Sequence, residues 1–296
     1  MPTLTDIGKD HLDFNYQTWG SEGSTILLLH GLASNLHIWD LVAPKLLIHN
    51  KLIAIDQRGH GKTGKPDFGY DFQTIAEDTI EIINNLNLDN PIIIGHSWGG
   101  NVAVEIAAHY PKYIKGICLV DGGLIEISRI PGNSLDKALI NMAPPVWNGV
   151  YKNDIINRLE QYNWGLENVD EEQDKTSKEA NLTEIALSNF LISESGEVRS
   201  RLSRQNHMNI IEELWKHKPS ELLKIIKCPT LILNARNKHS ESSPYHEIRK
   251  SIISEALTVI PKVKSMWLED SIHDVPLQRP ELVSEIIQTH IDNKFF

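Results

Sequence analysis

Residues 92–100 read IIIGHSWGG, an apolar run that ends in Gly-x-Ser-x-Gly and leads directly into a helical sequence from Asn101 to Ala108. Such an order of strand, sharp turn and helix is typical of a nucleophile elbow, whose strained backbone projects a serine hydroxyl above the edge of a sheet. Glycines at positions 95 and 99 allow the strand and the helix to approach closely. A chance match in a glycine-rich turn would lack the flanking strand and helix, so we predict that Ser97 is a nucleophile.

The composition is that of a soluble globular protein, with 296 residues of which 41% are hydrophobic and 23% charged. No apolar run approaches the roughly 20 residues that span a bilayer. Met1 to Asp13 show no basic start followed by an apolar stretch, the pattern of a secretory signal. The formal net charge of −10 comes without a basic stripe. We therefore expect a cytoplasmic location, no membrane span and no nucleic-acid partner, and the oligomeric state stays open.

Metal and cofactor chemistry finds no support in the pattern of potential ligands. Cys118 and Cys228 both lie beside predicted strands, where a free thiol usually behaves as a small buried hydrophobic group. The 13 histidines are scattered, without the His-x-x-x-His or paired-cysteine spacing of metal sites. We predict no metal and no cofactor.

Near-continuous apolar runs recur along the chain, and strands buried on both faces of a parallel sheet have this pattern. The predicted strands are 25–29, 52–55, 91–94, 116–120, 230–233 and 265–268. Helical stretches lie between them, at 36–47, 74–86, 101–109, 245–254 and 281–291. This alternation predicts the α/β class, with a doubly wound, mostly parallel sheet.

The alternation stops between about Gly122 and Pro219, where helical pieces and loops occur without a convincing buried strand. We therefore predict a core domain formed by residues 1–122 and 219–296, and an inserted helical cap formed by residues 123–218. The polar stretch from Glu167 to Asn181 is interpreted as a solvated part of this cap.

Further motifs follow the predicted strands in a definite order. His30-Gly31 comes after the first buried strand, the sequence DQRGHG at 56–61 comes after the next, and IHD at 272–274 with RPE at 279–281 closes the chain. With the Ser97 elbow, these motifs make the chain resemble the α/β-hydrolase superfamily over nearly its whole length except the cap. The resemblance implies an α/β-hydrolase sheet and a catalytic triad, and it says little about the substrate.

The resemblance also indicates the base that a serine nucleophile needs within hydrogen-bond reach. The family places this base in the loop after the final strand, which corresponds to His273. We interpret His30, His60 and His96 as structural or loop-orienting residues.

The acid departs from the commonest pattern of the family. That pattern carries it after the strand at 230–233, but here the loop reads NARNK at 234–238, and no carboxylate appears before Glu241. Asp121 directly follows the strand at 116–120, where some relatives, including many haloalkane dehalogenases and the fungal zearalenone lactonase, carry their acid. We predict Asp121 as the acid and keep Glu241 as the alternative. Asp121 could instead hydrogen-bond the Gly122-Gly123 turn.

Two backbone amides, those of Leu32 and Trp98, are expected to form the oxyanion hole of such an elbow. Epoxide hydrolases resemble this chain but have Gly-His-Asp-Trp-Gly-Gly, with an aspartate nucleophile that Ser97 replaces here. Serine suits attack on a carbonyl, so epoxide and haloalkane chemistry are disfavoured.

Large side chains of the predicted cap either line an apolar pocket or form the core of the cap. Trp147 and Trp164 lie near proline and glycine turns, and we select them as substrate-binding candidates.

Our leading hypothesis is a serine hydrolase that cleaves a carboxylic ester or lactone of a small apolar substrate through an acyl-enzyme. One alternative is hydrolysis of a carbon–carbon bond beside a ketone, and another is a small-ligand receptor of the same fold. A third is cofactor-free oxygenation, in which His273 and Asp121 would remove a substrate proton. Four observations distinguish these possibilities. Ester turnover favours the leading hypothesis, diketone turnover the carbon–carbon hydrolase, oxygen consumption the oxygenase, and ligand-dependent movement of the cap the receptor.

Overall fold

The computed structural model of the protein describes residues 3–7, 10–162, 164, 181–237 and 244–296. Its strands are β1 (Thr3–Ile7), β2 (Leu12–Trp19), β3 (Ser24–Leu29), β4 (Asn50–Ile55), β5 (Ile92–His96), β6 (Gly116–Val120), β7 (Phe190–Ile192), β8 (Val198–Ser200), β9 (Thr230–Ala235) and β10 (Val263–Leu268). One sheet has the order β1-β2-β4-β3-β5-β6-β9-β10. Strand β2 pairs antiparallel with β1 and β4, and the strands from β4 to β10 in this order pair parallel.

This architecture confirms the predicted α/β class with a mostly parallel sheet. The burial along β3 shows why its apolar run is continuous: Ile26 and Leu28 belong to one apolar cluster, while Leu27 and Leu29 belong to another. All four side chains are fully buried. Alternate side chains of a strand point to opposite faces, so both faces of the central sheet are covered.

Strands β1 and β2 were not predicted, because their residues do not form continuous apolar runs. β1 reads TLTDI and is mostly exposed, and β2 reads LDFNYQTW with an irregular burial pattern. Both lie at the antiparallel edge of the sheet. Strands in such a position retain polar side chains and give a weaker signal than the buried parallel strands.

The helices are α1 (Ala43–Leu46), α2 (Phe72–Asn85), α3 (Trp98–His109), α4 (Leu135–Asn141), α5 (Lys152–Glu160), α6 (181–187), α7 (Arg204–Lys216), α8 (Pro219–Leu222), α9 (Pro244–Val259), α10 (Val275–Gln278) and α11 (Pro280–Asp292). Four predicted helices correspond to α2, α3, α9 and α11. Among the described helices, none is long and apolar enough to cross a membrane.

The prediction of one helix at 36–47 was wrong. The chain instead forms a 3-10 turn at Leu36–Trp39, the short helix α1, and a second 3-10 turn at Leu47–His49. Pro44 lies in the first turn of α1. A proline has no backbone N–H to donate and clashes with the preceding turn, so a continuous helix cannot run through this position.

The segment between β6 and β9 carries α4 to α8 and an antiparallel hairpin of β7 and β8, which was not predicted. Its apolar residues join the clusters that also contain sheet residues; Leu182 belongs to one cluster and Ile210 to the other. Asn35 of the core donates side-chain hydrogen bonds of 2.8 Å each to Ser188 and Asn189 of this segment. The division into core and cap at 123–218 stays a prediction, and most of the stretch 167–181 lies outside the described residues.

The junction of β5 and α3 depends on two glycines. A Cβ atom at Gly95 would lie 2.2 Å from the carbonyl oxygen of Gly99, and one at Gly99 would lie 2.5 Å from that of His30. Both distances are far below van der Waals contact, and the obstructing atoms belong to the backbone. These positions therefore admit only glycine in this packing.

We expect Gly95→Ala to lower the free energy of unfolding by about 3 kcal/mol or more, because the added methyl group overpacks the junction. Gly132→Ala is the control, since a Cβ atom there has no neighbour within 4 Å. The only strain expected in this variant comes from its φ of 73°, which an alanine rarely adopts. This control should cost about 1 to 2 kcal/mol through its backbone alone. Urea denaturation measures both values, and equal losses would contradict the close contact at Gly95.

Candidate active site

Ser97 lies between β5 and α3 with a φ of 52° and a ψ of −122°. A non-glycine residue rarely adopts this backbone conformation, which costs energy and is typical of functional turns. Hydrogen bonds hold it: the amide of Ser97 donates to the Val120 carbonyl at 3.1 Å, and its carbonyl accepts from the Gly100 amide at 2.9 Å. The turn therefore presents the Ser97 hydroxyl at the carboxyl edge of the sheet.

The structure brings together the three residues predicted as a triad. His273 lies in the loop between β10 and α10, and its Nε2 is 2.9 Å from Ser97 Oγ. Its Nδ1 is 2.6 Å from Oδ2 of Asp121, the residue that directly follows β6. The Asp121 side chain is buried, whereas the His273 side chain is 53% exposed.

The partners of the Asp121 carboxylate explain its orientation. Its Oδ1 accepts a 2.6 Å hydrogen bond from the Ala235 amide and a further one from the Arg249 guanidinium. Among the described residues, its side chain makes no hydrogen bond to the Gly122-Gly123 turn that was considered as an alternative. Glu241, the other candidate acid, lies outside the described residues.

The charges of this group determine which nitrogen of His273 carries the proton. A carboxylate only accepts, so Nδ1 donates to Asp121, and Nε2 is free to accept from the Ser97 hydroxyl. Desolvation of the part of the ring that faces the protein would lower the pKa of His273, but the hydrogen bond and negative charge of Asp121 outweigh it and raise the pKa above its ordinary value. Burial would raise the pKa of Asp121, but His273 and Arg249 bring it below its usual range. The geometry suits a base poised beside a hydroxyl.

His96 holds the loop that carries the base. Its Nε2 donates to the backbone carbonyl of His273 at 2.9 Å, and the two rings lie 4.9 Å apart. Burial and the nearby His273 lower the pKa of His96 to about 4, so the ring is neutral at pH 7. Its position agrees with the interpretation of His96 as a loop-orienting residue.

The loop after β3 lies directly beside Ser97. A Cβ atom at Gly31 would lie 3.0 Å from Ser97 Cβ. The ring of His30 donates through Nδ1 to the Gly31 carbonyl at 2.8 Å. In a trans peptide the N–H points away from the carbonyl, so this bond turns the Leu32 amide away from His30. Within the described part of the chain, the amides of Leu32 and Trp98 have no acceptor.

Two neutral histidines stabilise this loop. His30 accepts from the Gln57 amide at 3.0 Å, and His60 accepts from the Ala33 amide at 3.2 Å. Ala33 itself has a φ of 58°. Burial lowers the pKa of both rings, which leaves the accepting nitrogens unprotonated. The oxyanion hole formed by the amides of Leu32 and Trp98 stays a prediction. The hydrogen bonds of His30 and His60 hold the loop that carries the Leu32 amide.

A cavity of about 510 Å³ opens on Ser97 and His273, a volume suited to a small molecule. Part of its lining is apolar and part is polar: Ile125, Ile127, Met142 and Ala235 in the first group, and Asn237, Tyr245, His246, Arg249 and Ser271 in the second.

The two candidate tryptophans are not among the lining residues of this cavity. Trp147 packs edge-on against Phe190 with ring centres 4.8 Å apart, and Trp164 packs in the same manner against Tyr162 at 4.7 Å. Their role in substrate binding stays a prediction.

Arg249 is a site residue that sequence reasoning missed. It lies on α9 and is only 8% exposed, and its guanidinium contacts Asp121 and Asn234, the latter at 3.1 Å. A signal was present: Arg249 falls three and four positions before Ile252 and Ile253, on the buried face of the helix. A charged residue in an apolar stripe needs a partner, but only the fold shows which one.

We expect the pKa of His273 to lie above that of a free imidazole and to fall in Asp121→Asn, because asparagine carries no charge to stabilise the imidazolium. Asp274→Asn is the matched control. Asp274 is the neighbouring carboxylate and raises the His273 pKa less than Asp121 does. NMR titration of the ring resonances measures each value, and an equal fall in the two variants would contradict the proposed pairing.

Comparison with known proteins finds a matching family model and several similar chains. A family model for the alpha/beta hydrolase fold matches residues 24–263. A 2-(acetamidomethylene)succinate hydrolase from Mesorhizobium japonicum is 34% identical over 131 residues, which are 41% of this chain and 47% of that protein. The chain therefore aligns with less than half the length of this relative.

Two further matches cover nearly all of the chain. A putative esterase/lipase from Haemophilus influenzae is 24% identical over 277 residues, which are 90% of this chain and 83% of that protein. The crystal structure of an E-2-(acetamidomethylene)succinate hydrolase superposes with a TM-score of 0.75 at 21% identity, and it covers 98% of this chain and 100% of that one. At this identity, the structural match establishes the fold alone.

Proposed function

The chain belongs to the alpha/beta hydrolase family, and we propose that it is a serine hydrolase that cleaves a carboxylic ester or lactone of a small molecule through an acyl-enzyme. The observation that carries the proposal is the continuous series of hydrogen bonds from Ser97 Oγ through His273 to Asp121. The names of the relatives, a hydrolase and a putative esterase/lipase, are consistent with hydrolytic chemistry.

In the first step, Ser97 Oγ attacks the carbonyl carbon of the substrate while Nε2 of His273 takes the hydroxyl proton. Asp121 stabilises the imidazolium that forms and keeps the ring oriented. The carbonyl oxygen becomes an oxyanion, which the amides of Leu32 and Trp98 stabilise. Each donor of this kind typically contributes about 10²- to 10³-fold to the rate.

The tetrahedral intermediate then collapses. The bond to the leaving alkoxide oxygen breaks, His273 returns the proton to that oxygen, and the acyl group stays on Ser97. In the second half, His273 removes a proton from water, the hydroxide attacks the acyl carbon, and Ser97 leaves with the proton from His273. The products are an acid and an alcohol, or a hydroxy acid from a lactone. These steps use only groups of the chain and water.

The apolar part of the cavity lining supports a small substrate with a hydrophobic part. Ile125, Ile127 and Met142 provide the apolar surface beside the reacting groups. The His273 side chain is half exposed, so the hydrolytic water can reach its ring. We propose that the predicted cap segment 123–218, which supplies these three residues, shapes the acyl or alcohol pocket.

We expect the wild-type protein to hydrolyse p-nitrophenyl esters or lactones, and Ser97→Ala to lose at least about 10³-fold in kcat because the nucleophile is removed. Asp121→Asn should lose about 10⁴-fold by analogy with other triads. Measurements use a chain-length series of the esters and several lactones.

Ser128→Ala is the control for the serine substitution. Ser128 is adjacent to the cavity residue Ile127, and its buried hydroxyl has no partner among the described residues. Its activity should match wild type within about twofold, as for a substitution away from the reacting groups. Turnover that survives Ser97→Ala would overturn the serine mechanism. If Asp121→Asn stays active while Ser97→Ala does not, Asp121 is not the acid of the triad. Glu241 would then be substituted next.

A further inference from the structure

The polar part of the cavity lining contains a buried cation that the proposed hydrolytic steps do not use. Arg249 lines the same cavity as Ser97 and His273 and is 8% exposed. Its Nη2 donates both to Asp121 Oδ1 and to Asn234 Oδ1. Within the described residues, its Nε and Nη1 groups have no acceptor. The guanidinium therefore keeps hydrogen-bond donors for another group.

The charge balance of the site differs from that of a serine triad alone. An ionised aspartate with a neutral histidine leaves a negative charge beside the substrate, which disfavours an anion. Here the Arg249 guanidinium cancels the charge of Asp121 directly. When His273 takes the proton of Ser97, the imidazolium and the new oxyanion balance each other, and Arg249 still offsets the charge of Asp121.

The surroundings of Arg249 position its guanidinium beside the cavity. Arg249 and Arg236 both lie over the ring of Trp267, at 5.6 Å and 5.2 Å from its centre. Burial, followed by the charges of Lys250, Arg249 and Arg236, lowers the pKa of the cavity residue His246. Two described acids near these cations have partners of their own: Glu269 pairs with Arg236, and Glu247 pairs with Lys250 at 3.0 Å.

We propose that Arg249 binds a free carboxylate of the substrate, so that the ester or lactone cleaved here carries a second, ionised acid group. A guanidinium is the preferred protein group for a carboxylate, because its planar set of donors matches the two oxygens. The carbon chain between the two functional groups would pack against Ile125, Ile127 and Met142. This inference rests on the proposed hydrolase function and specifies its substrate class.

A purely structural role for Arg249, as the counter-ion of Asp121, makes a different prediction. The positive charge of Arg249 works against a protonated His273, so a counter-ion alone would weaken the base for every substrate. Loss of Arg249 would then change the turnover of neutral and anionic substrates by the same factor. A carboxylate site instead changes the ratio between them.

The test compares two matched substrate pairs. The monobenzyl esters of succinic and glutaric acid carry a free carboxylate, and the benzyl esters of succinamic and glutaramic acid carry a neutral amide of the same shape. Release of benzyl alcohol is followed by chromatography. The acid of each pair can form a charge-assisted hydrogen bond with Arg249, and the amide cannot. We therefore expect the kcat/KM of wild type to be about 10-fold or more higher for the acid.

Variants of Arg249 and Arg236 test which arginine causes the preference for the acid over the amide. Arg249→Gln should bring the acid-to-amide ratio close to one, whereas Arg249→Lys, which keeps the charge but loses the planar fork, should retain part of the preference. Arg236→Gln is the matched control, since Arg236 shares the Trp267 ring but does not line the cavity. Its ratio should equal that of wild type. A wild-type ratio near one, or an equal loss for both substrates in Arg249→Gln, would overturn the proposal.

A binding experiment separates this proposal from the hydrolase function. Glutarate is titrated into Ser97→Ala by calorimetry, alone and combined with Arg249→Gln. Binding that is weakened about 10-fold or more by the second substitution supports the carboxylate site even if no ester is hydrolysed. Failure of all esters and lactones in wild type would instead reject the hydrolase function. Hydrolysis of neutral esters without glutarate binding would reject the carboxylate site alone.

Discussion

The close backbone contact between β5 and α3 is the constraint on which the rest of the site depends. Because Gly95 and Gly99 lack side chains, the helix begins directly against the end of the strand, and Ser97 is left in a conformation that few non-glycine residues adopt. The sheet order then brings β6 alongside β5 on one side and β3 on the other. The loops after these strands therefore lie next to the Ser97 turn, and one carries Asp121 while the other carries Leu32.

A second organising interaction is the sharing of the Asp121 carboxylate. One oxygen accepts from His273, and the other accepts from the Ala235 amide and from Arg249. These three donors belong to the loop after β10, to the end of β9 and to α9. A buried carboxylate needs such partners to remain ionised, so the position of the acid depends on elements far apart in the chain. Arg249 also brings a cation into a site that would otherwise be negative.

Five of the six predicted strands are buried on both faces, and their apolar residues form unbroken runs. The sixth corresponds to β10, an edge strand whose burial alternates. β1 and β2 were missed because their residues form no such runs, and the helix predicted at 36–47 failed at Pro44. In the site, Ser97 could be predicted from its local motif, whereas His273 and Asp121 were inferred from resemblance and position. Arg249 was missed, because nothing in a helix sequence states which strand end its side chain will reach.

The sequence by itself determined the parts of the protein that depend on neighbouring residues. These are the buried strands, the elbow whose two glycines permit the strained serine, and the order of motifs along the chain. Only the tertiary structure decided which distant groups meet, such as Arg249 with Asp121, separated by 128 positions. It also brought Ile125, Ile127 and Met142 to the cavity at Ser97. The physical reason is that hydrogen bonds and packing act through space, while periodicity and motifs report only local geometry.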